Sequence, residues 1–413
     1  MNAPLLALLL PLVAVASPLL LRKSPDLREG VTLVINIALF VVVLSMLSPV
    51  LSGENPTAAI FEIAPALHLS LEVEPLGLIF ALVVSFLWIC SSIYSIGYMR
   101  TLYGKSSEGE TRFWSCFAVA IFASIGIAFA ANLLTLFLFY ELLTLSTYPL
   151  VTHTRSPEAR RSGRLYLGML LGTSTFFLLT AIIWTWLLTG TLDFSAGGIL
   201  AGKVTSGQLT LLTLLFFFGT AKTALMPFHS WLPGAMVAPI PVSALLHTVA
   251  VVKAGVFTVL KIVTSVIGSG LLAGSSGAQV VAAFAAATIL IASFIALKKD
   301  SIKAILAYST IAQLSFIVLA AALATEASLT GGALHIATHA IGKITLFFCA
   351  GAIFVASGKT LVSEIGGIGK RMPWTMAAFV IGALSTIGLP PLCGGWSKWF
   401  LLIGTLEAKQ PLF

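Results

Sequence analysis

Thr220–His247 reads TAKTALMPFHSWLPGAMVAPIPVSALLH. It is apolar enough for a membrane helix, yet it carries Lys222 and then Pro227, Pro233, Pro239 and Pro241. Proline has no N–H to donate and its ring clashes with the preceding turn, so backbone hydrogen bonds must be lost at or after the lysine. Ser385–Leu402, STIGLPPLCGGWSKWFLL, repeats the arrangement, with Pro390, Pro391, Gly394 and Gly395 just before Lys398. Broken helices that carry an ionisable group at corresponding places in two halves are the best sequence pointer to a transporter's ion site and inverted repeat. An ordinary proline kink would account for either break alone; a lysine at both argues against it.

The rest of the chain fits that setting. Of 413 residues, 58% are hydrophobic and 9% charged, against roughly 25% charged in a soluble globular domain. Mean hydropathy is +1.04. These values define an integral membrane protein and exclude disordered, coiled-coil and collagen-like chains. The net charge of +8 does not indicate nucleic-acid binding, because the basic residues sit in short clusters between apolar runs, a topology signal. Cys90, Cys116, Cys349 and Cys393 form neither a CxxC nor a zinc pattern and are expected to be buried packing residues. Leu5–Leu21 has the apolarity of a secretory signal, but its basic residues, Arg22 and Lys23, follow rather than precede it, so a first membrane helix is expected.

A helix needs about 20 apolar residues to cross the hydrocarbon core. About twelve spans result, at 3–21, 31–51, 76–98, 113–131, 133–152, 165–189, 209–228, 242–264, 279–297, 303–323, 331–356 and 374–403. The expected fold is an all-α integral membrane protein. Basic residues are retained on the cytoplasmic side of short loops. Arg22, Lys23 and Arg28 follow the first span, and Arg100, Lys105 and Arg112 the third. Arg155, Arg160, Arg161 and Arg164 follow the fifth, Lys298, Lys299 and Lys303 the ninth, and Lys359, Lys370 and Arg371 the eleventh. The opposite loops hold only Lys203, with Lys409 in the tail and Lys261 close to the far end of span eight. The N-terminus is therefore expected outside.

Four lysines, Lys222, Lys253, Lys343 and Lys398, remain inside expected spans, and of the acids only Glu141 sits mid-span, in LFLFYELLTLSTYPL. An ionisable group at membrane depth costs at least about 2.5 kcal/mol and normally faces a protein interior or a hydrated cavity. Snorkelling to the interface is the other reading, chiefly for Lys253. His335, His339 and Lys343 follow at i, i+4 and i+8, stacking on one helix face about 12 Å from end to end. Together these seven residues suit a proton relay in which a Glu–Lys pair that can separate changes the lysine's proton affinity. Direct contact between Glu141 and Lys222 is expected. A static ion pair, and core histidines bonded to neighbouring helices, are the structural alternatives. The HxxxH spacing also fits a metal, but Ile336 follows the first histidine, so zinc-protease chemistry is absent and no metal or cofactor is expected.

The run from Lys222 through His229, Trp231, Pro233, Pro239, Pro241 and His247 to Lys253 resembles the core motif of the proton-translocating, antiporter-like membrane subunits. These include the large membrane subunits of respiratory complex I, the A and D components of Mrp-type cation/proton antiporters, and equivalents in membrane-bound hydrogenases. FYELLTLSTYPL around Glu141, KKDSIKAILAYSTIAQLSF, HIATHAIGK and GLPPLCGGWSK support the resemblance from about residue 70 onward. It implies inverted five-helix repeats with broken helices. Residues 1–112 would hold three N-terminal helices, 113–264 the first repeat (helices 4–8), and 279–413 the second (helices 9–12). It also implies that Glu141 and Lys222 are a controlling pair, Lys253 the central lysine, His335, His339 and Lys343 connecting groups, and Lys398 the terminal lysine. SALLH followed by VVKAG is similar to the Mrp A component and the distal membrane subunit of complex I, whereas the length and GKRMPWTMAAF lean to a protein like the Mrp D component. Relatives continue for about two more helices beyond Phe413, so either a fragment or a short form is expected.

The leading functional expectation is a proton-conducting subunit of a multisubunit Na+/proton antiporter in the cell membrane. It would work with other membrane subunits, protons and Na+, within the lipid bilayer and without nucleic acid. The alternative is the proton-pumping membrane arm of a redox complex, NADH-quinone oxidoreductase-like or a membrane-bound hydrogenase. No CxxC cluster, GxGxxG segment or haem ligand pair is present, so any redox centre would lie on another polypeptide. A stand-alone carrier of an organic solute is disfavoured, since no polar cluster beyond the relay is visible.

Overall fold

The computed structural model describes residues 2–64, 67–104 and 109–410. Lys105 of the second basic loop, the chain end at Phe413 and the side chain of His247 lie outside the described residues.

Helices dominate, because a backbone in hydrocarbon must satisfy its own polar groups. In chain order they are α1 (Ala3–Leu20), α2 (Pro25–Ser45), α3 (Leu47–Leu51), α4 (Pro75–Tyr103), α5 (Glu110–Ala128), α6 (Leu133–Val151) and α7 (Pro157–Thr173). A π-helical turn, Ser174–Leu178, leads into α8 (Leu179–Thr189), followed by α9 (Ser206–Gly219), α10 (Trp231–Gly234), α11 (Ile240–Ala244) and α12 (Val251–Ile262). After the short α13 (Ser269–Leu272) come the long α14 (Ser276–Leu297), α15 (Ile302–Leu323) and α16 (Glu326–Ser357). The chain finishes with α17 (Ile368–Arg371), α18 (Pro373–Ile387) and α19 (Cys393–Glu407).

Among the described residues nine helical runs are long and apolar enough to cross a membrane. The three expected spans missing from that set are the interrupted ones. Span 209–228 stops at Gly219, before Lys222. Span 242–264 is divided by a π-helical turn at Leu245–Val249, and 374–403 parts into α18 and α19. Those two halves still run as one broken span antiparallel to α16: Gly342 meets Gly382 and Thr386, Gly331 meets Ser397 and Leu401, and Gly404 meets Ser328. Glycine at these crossings lets the backbones approach; a Cβ on Gly404 would lie 2.5 Å from Ser328 Cβ.

An antiparallel hairpin, β1 (Thr57–Ala64) and β2 (Leu67–Glu72), stands outside the all-helical expectation. Its short alternating runs fall below the length of a membrane span and carry no charge cluster. Asn132 clamps it to the bundle, donating from Nδ2 to His68 O at 2.8 Å while its Oδ1 caps α6 at Thr135 N. Lys261 lies in the last turn of α12, close to the end of its span as expected. It is buried, at 2% exposure, and its Nζ pairs with Glu74 Oε1 at 2.5 Å, anchoring α12 to the start of α4. Of the cysteines, Cys349 is buried and Cys90 and Cys116 are partly buried, but Cys393 is exposed at the start of α19. That corrects the expectation of burial: Cys393 opens α19 at the break, where the backbone turns away from the packed interior.

Candidate functional site

Lys222 lies where the helical ladder stops. α9 ends at Gly219, Lys222 sits in a 3-10 turn over Ala221–Thr223, and Ala224 takes a left-handed backbone. Ala221 O accepts from Ala224 N at 2.9 Å and from Trp231 Nε1 at 3.0 Å, which pins the turn. The lysine is fully buried. Its Nζ donates to Tyr140 O at 2.8 Å and Thr144 Oγ1 at 2.6 Å, and rests 3.1 Å from the centroid of the Tyr140 ring. Carbonyl, hydroxyl and aromatic face together replace much of the ammonium's hydration.

The expected contact between Glu141 and Lys222 is not formed. Tyr140 and Thr144 stand at i and i+4 on the face of α6 that meets Lys222, and Glu141 is rotated about 100° away from Tyr140. Both carboxylate oxygens are shielded from solvent, and neither has a hydrogen-bond partner among the described residues. Glu141 and Lys222 are thus neighbours through α6 rather than an ion pair.

Lys253 follows the π-helical turn on α12. It does not snorkel: it is fully buried and its Nζ stands 2.8 Å from His339 Nδ1 on α16. His339 stacks on His335 with ring centroids 5.6 Å apart, as the i, i+4 spacing requires. His339 Nε2 is buried with no partner among the described residues. His335 is held at both nitrogens, Nδ1 2.8 Å from Ser397 Oγ and Nε2 3.1 Å from Gln313 Oε1. Ser397 Oγ in turn donates to Gly394 O at 3.1 Å, so the His335 ring is tied through Ser397 to the first turn of α19.

Lys343, one turn further along α16, is buried and donates to Ser309 Oγ at 2.7 Å and Leu306 O at 3.3 Å on α15. Lys398 turns back across the second break. Its Nζ donates to Thr386 O and Ile387 O, each at 2.9 Å, and lies 5.0 Å from the Phe316 ring centroid. Those carbonyls belong to the unpaired last turn of α18, where the helix dipole favours a cation.

The structure therefore brings Lys253, His339 and His335 into one line that ends on Ser397, the residue preceding Lys398. Lys343 continues the same helix face. Tyr140, Thr144, Ser309, Gln313 and Ser397, which hold these groups, are absent from the seven residues that sequence reasoning singles out. Gln313 and Ser397 do carry a signal, since a polar side chain in mid-span seeks a partner on another helix. Among the described residues no group of three or more His, Cys, Asp and Glu could hold a metal ion.

Residues 130–413 match the family described as NADH:quinone oxidoreductase/Mrp antiporter, TM, and the chain belongs to that family. It is a multi-pass membrane protein, a proton-translocating antiporter-like membrane subunit of the Mrp or complex I type. The N subunit of NADH-quinone oxidoreductase from Desulforudis audaxviator is 32% identical over all of this chain and 82% of its own length. The A component of the Na(+)/H(+) antiporter of Alkalihalophilus pseudofirmus is 30% identical over 97% of this chain, which spans only 51% of that relative. Among solved structures, the Mrp complex from Dietzia sp. superposes with a TM-score of 0.86 at 26% identity, covering 99% of this chain and 44% of the other. The membrane-bound sulfane sulfur reductase, an archaeal respiratory membrane complex, shares the fold at a TM-score of 0.86 and 24% identity, covering 98% of this chain and 82% of the other.

Proposed function

We propose that the chain conducts protons across the membrane midplane as one subunit of a multisubunit Na+/proton antiporter, in the cell membrane with its N-terminus outside. The observation that carries this reading is the buried 2.8 Å approach of Lys253 Nζ to His339 Nδ1. An ammonium that donates to a neutral imidazole can pass its proton along that bond, leaving a neutral amine and an imidazolium. His339 Nε2, free of partners among the described residues, is the atom from which the proton would move on. His335, Lys343 and Lys398 supply the next titratable groups. Glu141 acts through the field it places on Lys222, and movement of that lysine off Tyr140 and Thr144 alters what Lys253 experiences. In this reading 113–264 and 279–413 are the two repeats, each with one break beside a lysine. GKRMPWTMAAF keeps the lean toward a role like that of the Mrp D component.

A second reading has its own support. The relative covered over 82% of its length is a subunit of NADH-quinone oxidoreductase, and the same relay would serve a pump driven by electron transfer on partner subunits. One experiment separates the two. The tagged chain is extracted with its partners, reconstituted into vesicles, and assayed for proton movement driven by a Na+ gradient. Sodium-driven flux that Lys253→Ala removes supports the antiporter; co-purifying iron–sulfur proteins and flux only with an electron donor would replace it with the pump. Unchanged flux in Lys253→Ala would remove the relay from both.

A further inference from the structure

The basic end of the bundle contains a cavity of about 680 Å³ between the end of α1, the starts of α2 and α5, and the turn after α6. Four arginines from four separate elements line it, Arg22, Arg28, Arg112 and Arg155, against one carboxylate, Glu110. Arg28 is only 2% exposed. Its Nη2 meets Glu110 Oε2 at 2.5 Å and Glu29 Oε1 at 3.6 Å, but its buried Nε has no hydrogen-bond partner among the described residues. Arg112 gives Nη2 to His153 O at 3.0 Å, and its Nε is likewise buried and without a partner among them. Neither Arg22 nor Arg155 makes an ion pair among the described residues.

Glu110 neutralises Arg28, which leaves three guanidiniums facing one cavity without a counter-charge among the described residues. Like charges held together at a partly desolvated surface repel, and two buried N–H donors left unpaired add to that cost. An anion in the cavity offsets the repulsion among the guanidiniums that line it. Phosphate is the anion whose oxygens match the planar fork of several guanidiniums at once. The wall nearer the helix interiors adds a second requirement. Leu19 of α1, 63% exposed, and Cys116 of α5 border the cavity there, so it is polar toward the loops and apolar toward the spans.

We propose that this cavity binds the phosphate of an anionic phospholipid, with Arg22, Arg112 and Arg155 around the headgroup and the acyl chains descending past Leu19. The shared chemistry with free phosphate is the oxyanion; the apolar wall commits the site to a lipid. The inference is independent of the proton-relay reading.

The test uses the full chain in detergent after delipidation, titrated with phosphatidylglycerol, with phosphatidylcholine of the same acyl chains, and with inorganic phosphate, binding being read by native mass spectrometry. Two variants leave the buried Arg28–Glu110 pair intact. Arg22, in the turn after α1, is exposed and makes no ion pair among the described residues, so Arg22→Gln leaves the packing in place. Arg155 is exposed with φ 56, a conformation asparagine tolerates, so Arg155→Asn keeps the turn. Saturable phosphatidylglycerol binding, absent with phosphatidylcholine and about fivefold weaker for each arginine removed, supports the site. Equal binding of the two lipids, or variants that bind like the parent, would overturn it. Inorganic phosphate that saturates the site and displaces phosphatidylglycerol would overturn the lipid assignment and leave a site for a soluble anion.

Discussion

Lys253 Nζ and His339 Nδ1 meet at 2.8 Å from two different helices, α12 and α16, with both side chains buried. A lysine so placed needs an acceptor to remain charged, and a neutral histidine can accept its hydrogen bond and then its proton.

His339→Ala removes the acceptor, and should cost about 1–3 kcal/mol of stability as well as flux. His339→Gln restores an acceptor that cannot titrate. Its thermal midpoint should return toward that of the parent while flux in reconstituted vesicles stays suppressed; recovery of both would make the histidine a structural residue.

Glu141→Gln tests the carboxylate left without a hydrogen-bond partner among the described residues. Replacing it by a neutral isostere removes the field it places on Lys222 and should lower flux without lowering the thermal midpoint. A fall in the thermal midpoint would show that the carboxylate is paired in the assembled protein.

Gly255 on α12 backs onto the turn that holds Lys222, and a Cβ there would lie 2.6 Å from the Lys222 carbonyl carbon. Gly255→Ala must displace that backbone, so we expect about 1–3 kcal/mol of destabilisation. Flux should fall further than in an alanine substitution at Gly168, where no atom comes within 4 Å of the added Cβ. Equal flux in the two variants would mean that the position of Lys222 is not critical.

His153, just beyond α6, is held at about 4, down from 6.5, first by burial and then by the Arg112 and Arg155 guanidiniums. The unfolded chain therefore binds the extra proton at higher pH than the folded one. The stability in question is fully present above pH 6.5 and is lost as pH falls toward 4. After solvent screening of the partly exposed ring it amounts to on the order of 1–2 kcal/mol. The gap in thermal midpoint between His153→Asn and the parent should change across that window and be constant above it; a constant gap at every pH would exclude the linkage.

Most of the membrane architecture is legible in the sequence, because hydrocarbon imposes one length scale and one charge rule on every span. The two breaks are legible as well, since proline and glycine act on the local backbone. The pairing of groups across helices is not. HxxxH fixes the face of His335 and His339, but whether Lys253 or Lys398 meets that face depends on helix rotation, which a single sequence does not encode. Glu141 illustrates the same limit: its place in mid-span is plain, and the helix turn that points it away from Lys222 is not. The hairpin escapes because strands of eight and six residues lack the length that makes the helices conspicuous.

Lys398 closes the break in its own span by binding Thr386 O and Ile387 O. The ammonium stands in for the amides that an unbroken helix would have supplied, so the joint between α18 and α19 is fastened by a titratable clasp. Loss of the proton slackens both contacts, and reciprocity requires that bending the joint change the affinity for the proton. Protonation state and hinge angle are then one variable, which gives any neighbouring protein leaning on α19 mechanical leverage over a chemical step it never touches.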